Sequence, residues 1–155
     1  MQIILMRHGE AVPFGQIDQE RSLTPNGKVQ AIQTANKLKR ANVNVAKVIC
    51  STLLRARETA EIVGATLAPH CVVQSIAGIT PNDAYDSALT EIQSHGRDGT
   101  LVVFHQPILS HIVSWLTHGS LNADLYPIPV TATAYVLSLD EFAPRSAILR
   151  CAYQP

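Results

Sequence analysis

Cysteine is scarce in this chain of 155 residues: only Cys50, Cys71 and Cys151 are present, an odd number at wide spacing. No C-x-x-C pair occurs, so the sequence offers neither a disulfide framework nor a cysteine-based zinc site. Reduced thiols of this kind are typical of intracellular proteins. We therefore expect a cytoplasmic protein whose three thiols are free.

The chain also lacks an excess of charge of either sign. Lys plus Arg and Asp plus Glu each number 12, so the formal net charge is zero. Proteins that bind nucleic acid or anionic membranes depend on surplus cations, and neither class fits. No apolar run approaches the roughly 20 residues that cross a bilayer, and residues 1–4 do not resemble a signal peptide. A soluble protein is expected.

Nucleotide-binding and metal-binding patterns are missing as well. The sequence contains neither G-x-G-x-x-G nor a Walker A segment. The spacing of His105, His111 and His118 matches no usual zinc pattern. We accordingly predict an activity that uses no metal ion and no other cofactor.

What the chain does contain is apolar residues, at 46% of the total, with only 15% charged. Apolar runs of strand length alternate with segments of helical periodicity. The strands are predicted at 2–6, 46–50, 71–76, 100–104, 131–139 and 147–153. This alternation indicates an α/β fold: a single domain over residues 1–155, built as a three-layer α/β/α sandwich around a mixed, largely parallel sheet.

Helices are predicted between these strands from capping residues and apolar spacing. The first begins with Thr24 as N-cap and Pro25 at its first position. Its apolar face is predicted to consist of Val29, Ile32, Ala35 and Leu38. The second is predicted to be capped by Ser51 or Thr52, the third to begin at Thr80, and the fourth to follow strand 100–104.

Charged side chains follow three of the predicted strands. The first strand is followed by Arg7 and His8, the second leads to Arg55 in the next helix, and strand 100–104 is followed by His105. Because the carboxyl ends of parallel strands share one edge of a sheet, we expect these side chains to converge. Guanidinium groups bind tetrahedral oxyanions bidentately, so the pattern predicts a phosphate pocket.

An anion site alone does not require His8. An imidazole among cations has its pKa lowered by like charge, which leaves one ring nitrogen free as a nucleophile near neutral pH. Gly9 allows a tight turn, and a carbonyl there can accept the other ring N–H. We interpret His8 as a nucleophile that takes up a phosphoryl group, with Arg7, Arg55 and His105 stabilising its oxygens. Any one of these side chains alone would more often be solvated or structural; their shared placement favours catalysis.

Four segments have a recognisable spacing: LMRHGE at 5–10, RSLTPNG at 21–27, STLLRARET at 51–59 and HQP at 105–107. In this order they resemble the R-H-G, L-T-x-x-G, S-x-x-x-R-A-x-x-T and H-x-P motifs of the histidine phosphatase (phosphoglycerate-mutase-like) superfamily. The resemblance extends over nearly the whole chain. It implies a phosphoglycerate-mutase-like fold.

The resemblance also implies roles for individual residues. His8 would be the phosphate acceptor, and Arg7, Arg55 and His105 would form the phosphate pocket. Arg21 lies in the loop after the first motif and would supply a further contact to phosphate or substrate. The small size and the Ile-Thr-Pro segment at 79–81 look most like the SixA-type branch, the phosphohistidine phosphatases.

The sequence departs from the superfamily in one informative place. Where mutases and phosphomonoesterases usually have an acidic general acid, this chain has Gly78, and the nearest carboxylates, Asp83 and Asp86, fall at a helix start where capping is their simpler role. An alkoxide leaving group has a pKa of roughly 16 and needs a proton donor, whereas imidazole leaves with a pKa of about 6.5. The departure favours a P–N bond as the substrate.

We therefore predict a phosphohistidine phosphatase that works through a phospho-His8 intermediate. The predicted partners are a phosphorylated histidine-containing phosphotransfer protein and, in the pocket, inorganic phosphate or another tetrahedral oxyanion; a monomer is expected. Two alternatives remain open. One is a small-molecule phosphomonoesterase with Asp83 or Asp86 as its acid, and the other is a non-catalytic module that binds phosphoproteins.

Overall fold

The computed structural model describes residues 1–13, 17–122 and 128–155. Its strands are β1 Gln2–Arg7, β2 Lys47–Ser51, β3 Gln74–Ile76, β4 Thr100–Phe104, β5 Ala134–Leu139 and β6 Ala147–Tyr153. Its helices are α1 Pro25–Arg40, α2 Leu54–Leu67, α3 Tyr85–His95 and α4 Ile108–His118, with a short 3-10 turn at Asp18–Glu20. No helix in these ranges has the length and apolar character needed to cross a membrane.

The strands form one sheet in the order β3-β2-β4-β1-β5-β6. The first four strands of the chain run parallel, and β5 and β6 are antiparallel to their neighbours. On β1, Arg7 lies opposite Phe104 of β4, and Met6 lies opposite Ala134 of β5. The carboxyl ends of β1 and β4 therefore lie side by side in the middle of the sheet, as a mixed, largely parallel arrangement predicts.

Helices cover both faces of the sheet. α1 and α2 pack on a cluster that includes Ile4 and Met6, and α3 and α4 pack on a cluster that includes Ile3 and Leu5. Alternate side chains of β1 thus enter opposite cores, and all four are fully buried. This explains why the first strand is a continuous apolar run, and it confirms the three-layer prediction.

The first helix begins as predicted but buries a different face. Thr24 accepts a hydrogen bond from the Gly27 backbone and Pro25 follows it, yet Val29 and Ile32 are 49% and 46% exposed. The buried side of α1 consists of Gly27, Ala31, Thr34, Ala35 and Leu38. These residues are mostly small, so they allow the helix to approach closely. Of the four residues predicted for the apolar face, two, Ala35 and Leu38, are buried.

Two other helix starts differ from the sequence prediction. β2 continues through Ser51, and the N-cap position of α2 is Leu53, without a side-chain cap. α3 begins at Tyr85 because the Asp83 carboxylate accepts from the Thr80 backbone at 2.6 Å and from its hydroxyl at 2.7 Å. These bonds close a separate turn before the helix. β3 and β5 are also shorter than predicted, since 71–73 and 131–133 lie outside the ladders.

The loop after β1 lies directly against the first turn of α1. A Cβ atom on Gly9 would lie 2.6 Å from the Gly27 carbonyl oxygen, and a Cβ on Gly27 would overlap the Glu10 carbonyl oxygen. The same Glu10 oxygen accepts from Thr24 N at 2.9 Å. The backbone of the loop after β1 is therefore in contact with the backbone of α1. Both positions require glycine because of this close approach and not because of a turn conformation.

Replacement of Gly27 by alanine tests this contact. We expect Gly27→Ala to lower the free energy of unfolding by about 1–3 kcal/mol, because the backbones must separate, although alanine favours a helix. Gly64→Ala in α2 is the matched control, since its Cβ would meet side-chain atoms and no backbone: Val73 Cγ2 at 3.3 Å and Val48 Cγ2 at 3.7 Å. Urea denaturation measures both. Equal stability of the two variants would contradict the contact.

Candidate active site

The adjacent ends of β1 and β4 bring two histidines together. His8 follows β1 and donates its backbone N–H to Phe104 O at 3.1 Å, and His105 follows β4. The ring centroids lie 5.0 Å apart, and the rings are tilted by 53°. Both side chains are buried. The structure thus places the two histidines expected from the sequence at one edge of the sheet.

A backbone carbonyl orients the ring of His8. Nδ1 lies 2.7 Å from Gly9 O, and because a carbonyl only accepts, the contact requires the proton on Nδ1. A neutral His8 then has its lone pair on Nε2. This is the tautomer needed by an imidazole that attacks phosphorus through Nε2.

Thr59 joins the His8 loop to α2. Gly9 N donates to Thr59 Oγ1 at 3.0 Å, and the same hydroxyl donates to Arg55 O at 2.7 Å. Thr59 is fully buried. One hydroxyl therefore links the loop that orients His8 to the first turn of α2, which contains Arg55.

Arg55 is buried and contacts the 3-10 turn at Asp18–Glu20. Its Nη1 donates to Asp18 O at 2.9 Å, and its Nη2 lies 3.3 Å from Asp18 Oδ2. Arg21 pairs with the other carboxylate oxygen through Nη1 at 3.0 Å and donates from Nε to Val12 O at 2.8 Å. The Asp18 carboxylate thus bridges two of the arginines predicted to bind phosphate.

Several buried donors at this edge have no protein partner. Arg7 donates from Nη1 to Pro129 O at 2.7 Å, but among the described residues its Nε has no hydrogen-bond partner. Neither ring nitrogen of His105 has one there either. Buried polar groups without partners are destabilising and uncommon. These atoms are therefore available to a polar ligand.

Burial is the main cause that lowers the pKa of His8, to about 4, and the charges of Arg55, Arg7 and Arg21 lower it further against the opposing effect of the backbone hydrogen bond. Burial, followed by the neighbouring positive charges, also lowers the pKa of His105. Both rings are thus neutral at pH 7. The sequence predicted the direction of the His8 shift but assigned it to like charge, which is the smaller cause.

Asp18 is a site residue that the sequence motifs do not include. In the sequence, Asp18 lies three residues before Arg21, which has the opposite charge, and this spacing could have indicated that the two residues pair. Burial opposes ionisation of Asp18, but the Arg21 hydrogen bond and the Arg55 charge hold the pKa of this carboxyl below its ordinary value. Asp18 is therefore a carboxylate at neutral pH, and it cannot serve there as a proton donor.

The two carboxylates considered as alternative acids have other partners. Asp83 accepts from Thr80, and Asp86 accepts from Ser87 N at 2.8 Å on the exposed first turn of α3. Within the described residues, no hydrogen bond or ion pair joins either carboxylate to His8 or His105. The structure does not bring them into the group of site residues.

Position 78 is unsuited to an acidic side chain. Gly78 has φ of +80°, in a region that residues with a Cβ rarely adopt. A Cβ there would lie 2.8 Å from Glu91 Cγ. An aspartate or glutamate at this position would therefore be strained, which makes glycine the favoured residue there.

The site combines a neutral imidazole with fixed positive charge. Arg7, Arg55 and Arg21 lie close enough to His8 to lower its pKa. Buried nitrogens of Arg7 and His105 that have no partner among the described residues lie at the same edge of the sheet. This arrangement suits attack on a tetrahedral phosphorus whose oxygens are held by charged donors.

Comparison with known proteins agrees with this chemistry. The family model described as histidine phosphatase superfamily (branch 1) matches residues 3–77. Phosphohistidine phosphatase SixA of Escherichia coli (strain K12) is 33% identical over 147 residues, which are 91% of this chain and 87% of that protein. The structure of the protein histidine phosphatase SixA complexed with tungstate superposes with a TM-score of 0.86 at 28% identity, covering 100% of this chain and 97% of that one.

A second relative matches over a shorter stretch. The mitochondrial serine/threonine-protein phosphatase Pgam5 of Drosophila mojavensis is 44% identical over 61 residues. The match covers 39% of this chain but only 21% of that protein. The match supports the family relationship, but it is too short to indicate a substrate.

The buried position of His8 predicts an unusual titration. In an NMR titration of the free protein, we expect the His8 imidazole to take up its proton near pH 4 and not near 6.5, because burial and the arginines disfavour the cation. Addition of inorganic phosphate is expected to raise this pKa, since a nearby anion stabilises the imidazolium. A His8 midpoint near 6.5 would contradict the assigned environment.

Replacement of Thr59 tests its link between Gly9 and Arg55. Thr59→Val keeps the shape but leaves Gly9 N without an acceptor, and we expect the free energy of unfolding to fall by about 1–3 kcal/mol. Thr59→Ser keeps the hydroxyl and is expected to retain most of the stability. Denaturant unfolding measures both variants, and full stability of Thr59→Val would show that the hydroxyl is dispensable.

Proposed function

The chain belongs to the histidine phosphatase superfamily, and from this membership we propose that it hydrolyses the P–N bond of phosphohistidine on a signalling protein. The observation that carries the proposal is a neutral, buried His8 among arginine and histidine donors, beside an Asp18 carboxyl that is held ionised. Its similarity to SixA over 91% of its length supports the same activity.

The reaction is a double displacement. His8 Nε2 attacks phosphorus as the P–N bond of the substrate breaks. The electron pair of that bond stays on the substrate ring, which carries a proton on its other nitrogen and therefore leaves as neutral imidazole. Water then attacks the phosphorus of phospho-His8, which releases inorganic phosphate and restores the neutral ring. Arg7, Arg55 and His105 hold the phosphoryl oxygens in both steps, and Arg21 adds positive charge at the rim.

The lack of a general acid among the described site residues favours phosphohistidine over a phosphate ester. Imidazole leaves readily, since its conjugate acid has a pKa of about 6.5, whereas an alkoxide must be protonated as it leaves. An acidic side chain at position 78 would be strained. Asp18 is held ionised by its arginine partners. Each of these observations weakens the phosphomonoesterase alternative.

The proposed substrate protein is a histidine-containing phosphotransfer domain of a signalling relay. Such a substrate presents its phosphohistidine on its own surface, and the carboxyl ends of parallel strands are where ligands bind in folds of this class. We further propose that the protein acts as a monomer in the cytoplasm, the compartment that the unpaired Cys50, Cys71 and Cys151 favour. No metal ion enters the proposed mechanism.

Rapid mixing with a radiolabelled phosphohistidine protein tests the proposed function. We expect acid-labile label on the wild-type protein, followed by release of phosphate, and no label on His8→Ala, because the nucleophile is gone. His70→Ala is the matched control, since His70 is exposed and outside the site, and it is expected to behave as wild type. Quenching without acid preserves the labelled species.

Two further substrates distinguish the alternatives. A phosphoserine protein and a simple alkyl phosphate are expected to turn over far more slowly than phosphohistidine. Fast hydrolysis of the alkyl phosphate, lost in Asp83→Asn or Asp86→Asn, would establish the phosphomonoesterase instead. Binding of the phosphohistidine protein without phosphate release, unchanged in His8→Ala, would establish a binding module.

A further inference from the structure

Buried side-chain nitrogen and oxygen atoms without a hydrogen-bond partner are confined, within the described ranges, to three residues. They are Arg7 Nε, both ring nitrogens of His105, and Thr133 Oγ1. The first two residues belong to the proposed phosphate pocket. Thr133 is 1% exposed, and nothing in the motifs or in the mechanism above accounts for its hydroxyl.

The sheet register places Thr133 beside Arg7. Met6 of β1 lies opposite Ala134 of β5, and both side chains belong to the core on the α1–α2 face. Thr133 directly precedes β5, and its carbonyl accepts from Arg7 N, so the two residues are adjacent where this pair of strands ends. From the alternation of side chains along extended backbone, we expect both side chains on the face opposite to Met6 and Ala134.

The backbone around Thr133 is fixed to the nucleophile strand. Arg7 N donates to Thr133 O at 2.9 Å, and Ala132 N donates to His8 O at 2.9 Å. Thr133 N donates in turn to Val130 O at 3.2 Å. The hydroxyl is therefore held at a constant position relative to Arg7 and His8, which is the condition for a preorganised ligand donor.

From this geometry we propose that the Thr133 hydroxyl is a further phosphoryl-binding group, which donates a hydrogen bond to the phosphoryl oxygen that Arg7 Nε also contacts. This inference deepens the proposed function, on which it rests. It explains why a buried hydroxyl is left unpaired in the free protein: its partner is the oxyanion. A purely structural threonine at a strand end would be expected to bond a nearby carbonyl.

Thr133→Val separates the two interpretations because it has opposite effects on the free and the bound protein. Valine has the shape of threonine without the hydroxyl, and removal of an unpaired buried hydroxyl is neutral or stabilising. We therefore expect the thermal midpoint of the free protein to stay constant or rise. The dissociation constant of inorganic phosphate is expected to increase about tenfold, as for loss of a hydrogen bond to a charged group.

Thr133→Ser is the matched control because it keeps the hydroxyl. It is expected to retain the wild-type affinity for inorganic phosphate, measured by isothermal titration calorimetry at constant pH and ionic strength. With the phosphohistidine protein as substrate, Thr133→Val is expected to lower kcat/KM by a similar factor, and Thr133→Ser is not. Rescue by serine is a result that a merely structural role of the methyl group would not produce.

The inference would be overturned if Thr133→Val bound phosphate with wild-type affinity, whether or not the thermal midpoint of the free variant fell. Absence of phosphate binding by the wild-type protein at millimolar concentration would overturn it as well. The proposed function is tested separately by the label on His8. A labelled His8 together with a neutral Thr133→Val would leave the phosphatase intact and remove only the role of Thr133.

Discussion

The hydroxyl of Thr59 is the contact on which the candidate site depends, because it joins two elements that are far apart in the chain. The hydroxyl accepts from Gly9 N, just after β1, and donates to Arg55 O in α2. Gly9 and Thr59 are 50 positions apart in the chain. The same loop is seated on α1 through the Gly9–Gly27 backbone contact. Ion pairs add little to this framework, since the Asp18 side chain is 54% exposed and such pairs are screened by water. Backbone and hydroxyl contacts therefore position His8, the proposed nucleophile.

Much of the fold and of the site could be predicted from the sequence, for identifiable reasons. A buried parallel strand must be apolar on both faces, so 2–6 and 100–104 are recognisable, and a charged residue directly after such a strand falls at the ligand-binding edge. Arg7, His8 and His105 were found in this way. Arg55 could be predicted only because charged residues follow two other strands at the same edge of the sheet and because of the family resemblance. A single arginine on a helix is ordinarily a surface residue.

The remainder depends on tertiary contacts that leave no periodic signal. The buried side of α1 is set by close approach of small residues, so Val29 and Ile32 satisfy the helical pattern yet face solvent. Asp18 lies in a polar loop outside every motif, and only the folded chain brings it to Arg55. The role proposed for Thr133 requires the antiparallel register of β5 against β1, which the alternation of strands and helices does not specify.

The site is built to be incomplete without an anion. Arg7 Nε and His105 are buried without partners in the described structure, and burial and arginine charge keep His8 neutral. Each feature lowers the stability of the free protein, and each is reversed when a phosphoryl group supplies acceptors and negative charge. Among the described residues, Asp18 is ionised and Asp83 and Asp86 bond other groups. We therefore expect the energy gained on binding the phosphoryl group to be useful mainly with a bond that breaks easily. The P–N bond of phosphohistidine meets that requirement, and an alkyl phosphate does not.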